Sequence, residues 1–350
     1  MRATLAAVAS RQGGLFTRQQ ALTVGYTERE IKAKARGSGP WVVIRPGVYY
    51  RRGAFESLDS RGRWLLRDRA AILTSRQPAL LSHDSACRLL RIRTLDVDVP
   101  RSHLTLRGTG GGRTSGGVTR HRDLLPMCAE RVGDLVSTSY ARTAIDIGRL
   151  HGFQHGLVAV DAVRHMGVPL ADLESELQRM SQHPFIARSV AAVAASVDGA
   201  ESVLETLGRE LVKELGIGEP EPQFAVQIEG GRVVWCDIRV GCHVFECEGF
   251  VKLVDVAQGG VANETPDKVL WKQRKRAAAI AAEGLGVSPI FWSDIFGRAR
   301  DHAKERLRRE YAVSEHRFGR ELPPHLQEFA ARHPRRSDAQ LWLPEQLRAA

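Results

Sequence analysis

Apolar positions change their period several times along the 350-residue chain, and each change marks an element. Ala3 to Arg11 carries helix-compatible apolar residues and stops at Gly13-Gly14. Thr17 is followed three positions later by Gln20, and Thr27 by Glu30, so each pair is able to close a capping box; two short helices are expected to begin there, separated by the Val24-Gly25-Tyr26 turn. In the second of them Ile31 and Ala35 share one face, while Arg29, Lys32 and Arg36 fall at i, i+3 and i+7 on another. Trp41-Val42-Val43-Ile44, a Pro46-Gly47 turn and Val48-Tyr49-Tyr50 then read as a hairpin ending in Arg51-Arg52. Three small helices followed by such a hairpin predict a winged helix-turn-helix, its cationic helix in the major groove of DNA and its wing on the backbone.

The middle of the chain alternates less regularly. Helices are expected near Leu65 to Arg76 and Ser82 to Leu90, strands around Asp96 to Pro100, Leu104 to Leu106 and Val118 to His121, and a capped helix over Ser137 to Leu150. Gly108 to Gly117 is glycine-rich but lacks the terminal Gly-Lys-Ser/Thr of a phosphate-cradling loop, and reads as surface loop. His83 stands between Ser82 and Asp84, yet near neighbours at one helix start cannot adopt the geometry of a hydrolytic triad; an N-cap serine beside a satisfied histidine is the expectation. Residues 151–199 look helical and read as a connector.

The pattern sharpens again from Glu201. Glu201, Glu205 and Arg209 are spaced by four, lining one helix face, with Leu204, Leu207, Leu211 and Leu215 as the packing face. Phe224 to Ile228, Val233 to Val240 and Val244 to Cys247, punctuated by Gly230-Gly231 and Gly241, predict a β-meander. Asp237 lies on its second strand, and Glu246 and Glu248 share a face of its third, because strand side chains alternate with period two. Acids brought together on apolar strands repel one another and are costly to desolvate unless a cation lies between them. A hard divalent ion with oxygen ligands, Mg²⁺ or Mn²⁺, meets that requirement, lowering the pKa of a bound water and stabilising charge on a phosphate. Lys252, four positions beyond Glu248, is placed to orient the water or offset charge. Helix-borne Glu, strand Asp, strand Glu-x-Glu, Lys and then a basic helix, Trp271 to Arg276, form the order of a PD-(D/E)XK nuclease.

Charge supports a polyanionic partner. Lys and Arg number 51 against 40 Asp and Glu, a formal excess of +11. The excess is concentrated: residues 1–60 hold ten Lys/Arg and four Asp/Glu, and residues 268–310 eleven against five. Lys272, Arg274 and Arg276 join Arg29, Lys32, Arg36, Arg51 and Arg52 as candidate DNA contacts. The five cysteines lack the close paired spacing of a zinc site and read as buried thiols in a reducing compartment. No stretch approaches the ~18 apolar residues of a membrane span, so a cytoplasmic protein without membrane association is expected.

Two segments resemble known families. Gly14-Leu15-Phe16-Thr17-Arg18-Gln19-Gln20-Ala21, followed by Trp41 and Arg45-Pro46-Gly47-Val48-Tyr49, resembles the N-terminal winged-helix domain of AbiEi-type antitoxins of type IV toxin-antitoxin systems. That resemblance implies a module that represses its own promoter, and a cognate toxin as a partner. Ala200 to Arg209, Pro222-Gln223, Cys236-Asp237 and Glu246-Cys247-Glu248-Gly249-Phe250-Val251-Lys252 resemble the Vsr-like endonuclease domains often fused to AbiEi-type N-termini in actinobacterial proteins. It implies that Glu205 is the helix-borne acid, Asp237 and Glu246 the central metal ligands, and Lys252 the charge-stabilising lysine. The chain departs from the pattern at Glu248, where such domains usually carry aspartate and where the standard motif has its lysine, and in Trp271 to Arg276, which holds no acid.

The expected fold class is therefore α+β and multidomain. A winged helix-turn-helix occupies residues 1–60, a mixed α/β segment 61–150, a helical connector 151–199, an α/β restriction-endonuclease-like domain 200–300, and a basic helix with a polar tail 301–350. The function expected is DNA binding with Mg²⁺-dependent phosphodiester hydrolysis in defence or repair. The alternative is a non-catalytic regulator or antitoxin with a degenerate nuclease domain.

Overall fold

The computed structural model describes residues 1–96, 100–124, 129–248 and 266–335. It is a mixed α+β structure, dividing into two compact units: residues 1–156 with 171–191, and 157–170 with 192–350.

The first unit opens with α1 (Ala3–Ser10), β1 (Phe16–Thr17), α2 (Arg18–Thr23) and α3 (Glu28–Lys34). Both expected capping boxes form. Thr17 accepts from the Gln20 backbone while Gln20 reaches back, and Thr27 and Glu30 do the same, so orphan N–H groups at each helix start are satisfied reciprocally. β2 (Trp41–Arg45) and β3 (Val48–Arg51) make the hairpin, and β1 adds to it in the order β1-β3-β2, all antiparallel. Fully buried Trp41 is the hub of this core: the rings of Phe16 and Tyr26 meet it edge-on at centroid distances of 4.8 and 5.2 Å.

After α4 (Arg52–Glu56), α5 (Ser60–Leu73) starts at an Asp59 cap and packs on a six-stranded sheet. Its strands are β4 (Ala79–Leu81), β5 (Ser102–Arg107), β6 (Arg113–Ser115), β7 (Val118–Asp123), β8 (Ala129–Val132) and β9 (Leu135–Thr138), ordered β6-β7-β5-β4-β9-β8. α6 (His83–Leu90) follows β4, and α7 (Tyr140–His151) follows β9. The sequence missed four of these strands, β4, β6, β8 and β9. β6 lies within the glycine-rich segment read as loop, and β4 and β8 are too short to show a period. The cap of α7 is Ser139, since Ser137 and Thr138 belong to β9. Ser82 stands at the cap position of α6 but makes no side-chain cap, because its hydroxyl is engaged by His83. The strand expected at Asp96 to Pro100 falls partly outside the described residues. Residues 151–199 are helical, as read: α8 (Phe153–His165), α9 (Leu170–Arg179) and α10 (Ile186–Ala194).

The second unit contains α11 (Val203–Lys213) and the meander β10 (Glu221–Ile228), β11 (Arg232–Val240) and β12 (His243–Glu248). α12 (Pro266–Ala282) leads to β13 (Gly286–Phe291), which pairs parallel with β12, giving the order β10-β11-β12-β13. α13 (Gly297–Phe318), longer than the basic helix read to Glu310, and α14 (Pro324–Arg332) complete it. Gly208 lets α11 approach the sheet: a Cβ there would lie 3.0 Å from Cys247 Sγ and 3.4 Å from Ile238 Cδ1. Elsewhere Phe224, Val226, Cys236 and Val244 pack with Ile280 and Leu326 into the main core of the unit.

Candidate functional site

Three acids from three elements converge at the start of α11. Ser202 caps that helix, and Glu205, in its first turn, folds back to accept the Glu201 N–H at 2.8 Å. Gln223 Nε2 donates to the same Glu205 oxygen at 3.0 Å. Gln223 is able to do so because its backbone takes φ 54°, a left-handed conformation rare outside glycine, and the β10–β11 pairing skips the Gln223/Asp237 position. The β11–β12 pairing likewise stops at Ile238/Phe245, short of Asp237 and Glu246. Asp237 stands where both ladders are interrupted, and its Oδ2 accepts the Cys247 N–H at 2.7 Å.

Electrostatics show that these carboxylates feel one another. Burial first, and then the Asp237 charge, push the Glu205 carboxyl up to about 7. The same two causes push Glu246 up to about 7, against the opposing pull of Arg276. Arg276, expected on a DNA-facing surface, instead turns into the cluster: Nε lies 3.1 Å from Glu246 Oε2, and Nη2 donates to the Trp235 carbonyl at 2.5 Å. A cation of the chain itself thus offsets part of the acidity. Glu248 is on β12, half-buried, and Lys252 lies outside the described residues.

The convergence is nevertheless loose. Among the described residues, one group of three or more potential ligands has its donor atoms mutually within 4.8 Å, and it is His83, His103 and His121, not Glu205, Asp237 and Glu246. The expected helix-face alignment of Glu201, Glu205 and Arg209 is also corrected. Glu201 precedes the helix and pairs with Arg335 at 2.6 Å, whereas Arg209 is buried against Asp161 at 3.0 Å. Asp161, in the segment read as mere connector, accepts in addition from Thr206 Oγ1 at 2.9 Å and the Val197 N–H at 2.8 Å, anchoring α11. Gln223, Arg335 and Asp161 were missed as site-building residues because their partners are remote in sequence; only the Pro222-Gln223 pair had drawn notice.

In the first unit Arg29 and Lys32 are exposed on α3. Arg36 is exposed too, but α3 ends at Lys34 with Ala35 as its cap, so Arg36 leaves the helical face assigned to it. Arg51 is exposed at the end of β3, while Arg52 turns back to the carbonyls of Gly37 and Gly39, the latter at 2.6 Å, and pairs with Glu56. Lys272 and Arg274 are exposed on α12. No helix among the described residues is long and apolar enough to cross a membrane.

No protein-family model matches the chain, and no curated protein is significantly similar to it.

Proposed function

We propose that the chain is a cytoplasmic DNA-binding protein in which a winged helix-turn-helix, residues 1–60, brings a restriction-endonuclease-like PD-(D/E)XK domain to duplex DNA for phosphodiester hydrolysis. The observation that carries this reading is the electrostatic strain around Asp237: burial and the Asp237 charge together raise the proton affinity of Glu205 on the helix and of Glu246 on the next strand. A site that holds protons too tightly is a site that favours a cation, and its carboxylate oxygens suit Mg²⁺ or Mn²⁺ in donor type. When bound, such an ion supplies an acidified water and charge stabilisation at the phosphate. The chain's own contribution is positional. Gln223 and the Glu201 N–H orient Glu205, the Cys247 N–H fixes Asp237, and Glu205, poised near neutrality, is able to hold or release a proton at Oε. Because the three acids are not mutually within 4.8 Å, binding one ion between them entails drawing them inward.

Support for DNA as partner comes from exposed Arg29, Lys32 and Arg51 on one small helix-and-hairpin unit and from the +11 excess. A second reading is favoured by Arg276: with a guanidinium already on Glu246, the C-terminal fold serves as a non-catalytic scaffold, and the protein is a regulator or AbiEi-like antitoxin that acts with a toxin partner. A nicking assay on supercoiled DNA with Mn²⁺ separates the two. Cleavage by the wild type that disappears in Asp237→Ala supports the nuclease; inactivity of both leaves the regulator.

A further inference from the structure

Three histidines far apart in sequence meet inside the first unit. His103 on β5 and His121 on β7 lie on neighbouring parallel strands, two register positions apart and so on one face, with His103 Nδ1 3.0 Å from His121 Nε2. His83 opens α6 with φ 49°, a left-handed conformation for a non-glycine residue, and its ring stacks on His121 at 3.8 Å. One donor nitrogen from each of the three lies within 4.8 Å of the others.

Carboxylates stand behind the ring nitrogens that face away. Asp84 Oδ2 is 3.4 Å from His103 Nε2 and also accepts from His151 Nε2 at 2.9 Å. Asp146 Oδ1 is 3.8 Å from His83 Nε2, and Asp146 is itself held by Arg142 at 2.8 Å and Arg149 at 2.5 Å. The Asp84 carboxylate 3.4 Å from His103 Nε2 favours the proton on that nitrogen, which would leave the Nδ1 lone pair toward His121. This is the carboxylate-backed arrangement that fixes the tautomer of a metal-ligating imidazole. Burial holds all three histidines below their ordinary pKa, His103 to about 4, so they stand neutral and ligand-competent at physiological pH. Only His121 is partly exposed, beneath Gly112, where a Cβ would be 3.6 Å from His121 Nδ1.

We infer that His83, His103 and His121 form a three-nitrogen site for a borderline divalent transition metal, zinc foremost, backed by Asp84 and Asp146 and open on the His121 side. Imidazole nitrogens select zinc, cobalt or nickel over the hard ions suited to the carboxylates of the second unit. Three protein ligands with one accessible position are the pattern of a reactive zinc rather than a closed structural one. A ring nitrogen's lone pair lies in the ring plane, so the stacked His83 and His121 rings share an ion only after one turns about Cβ–Cγ, a broad torsion for histidine.

Full-length protein stripped with a chelator and titrated with Co²⁺ tests this. The expected result is one equivalent that gives the visible d–d bands of nitrogen-ligated cobalt, bleached by Zn²⁺ and undiminished in Asp237→Asn, any further equivalent at the carboxylates of the second unit being lost in that variant. His103→Ala and His121→Gln should lose the bands, and Asp84→Asn should weaken affinity about 10- to 100-fold. If His103→Ala does not fold, partly exposed His121→Gln carries the test, with far-UV circular dichroism checking its fold. Absence of cobalt bands in folded wild type, or unchanged affinity in folded His121→Gln, overturns the site.

Discussion

Arg276 places its guanidinium against Glu246, Nε 3.1 Å from Oε2, and so brings a positive charge of α12 into the acidic cluster of the second unit. That contact decides how much negative charge the cluster retains. Replacing Arg276 with Met is expected to destabilise the protein by about 1–2 kcal/mol at pH 8, less than a fully buried pair because the guanidinium is about a third exposed. Millimolar Mg²⁺ should recover part of the loss by taking the place of the lost charge. Chemical denaturation with and without Mg²⁺ measures both quantities, and a deficit indifferent to Mg²⁺ argues against a cation-responsive cluster.

Glu205 and Glu246 give stability an uncommon pH dependence. Both carboxyls are raised from 4.5 to about 7 in the folded protein, so the folded state binds more protons than the unfolded one between those limits. Their contribution is full below pH 4.5 and is lost as pH rises through about 7. Glu205→Gln should remove its share of that decline, a gain relative to wild type on the order of 2 kcal/mol at pH 8. The comparison is between two unfolding curves across pH, and a difference that does not grow from pH 4.5 to 8 counts against the raised carboxyl.

His243 acts in the opposite sense. Nearly inaccessible, it is held between Ser314 Oγ at 2.8 Å and Ser288 Oγ at 2.9 Å, and burial lowers its pKa from 6.5 to about 4. Its contribution is present above pH 6.5 and lost as pH falls toward 4. The same corner constrains Gly286, where a Cβ would lie 1.9 Å from Ser314 Oγ and 2.5 Å from His243 Nδ1. Gly286→Ala is therefore expected to cost about 1–3 kcal/mol. Ser314→Gly in the same chain should return part of it, as thermal unfolding of the single and double variants would reveal.

For the first unit, Arg29→Ala with Lys32→Ala should flatten the salt dependence of binding to random-sequence duplex DNA by about 2, since each phosphate contact contributes roughly 0.9 to the slope. Adding Arg36→Ala should change the slope less than either helical residue, because α3 ends before it. Fluorescence anisotropy over a salt series reads the slope, and equal slopes for wild type and double variant would remove α3 from the interface.

The sequence by itself determined what depends on neighbours within a few positions. The capping boxes at Thr17 and Thr27, the hairpin around Pro46-Gly47 and the meander read from Phe224 to Cys247 all rest on local hydrogen bonds and on period, which short stretches encode. Period also put Glu201 and Glu205 on a helix and Asp237, Glu246 and Glu248 on adjacent strands, and the resemblance to Vsr-like domains picked Glu205, Asp237 and Glu246 out of them. Only the tertiary structure decided which charges meet. Arg276 was read as a surface contact and turned inward; Arg209 was read beside Glu205 and was drawn to Asp161; His83 was read as a bystander and joined His103 and His121, 20 or more residues away. A side chain's charge is written in its own residue, but its partner is fixed by strand register, helix ends and burial, and those are properties of the folded chain as a whole.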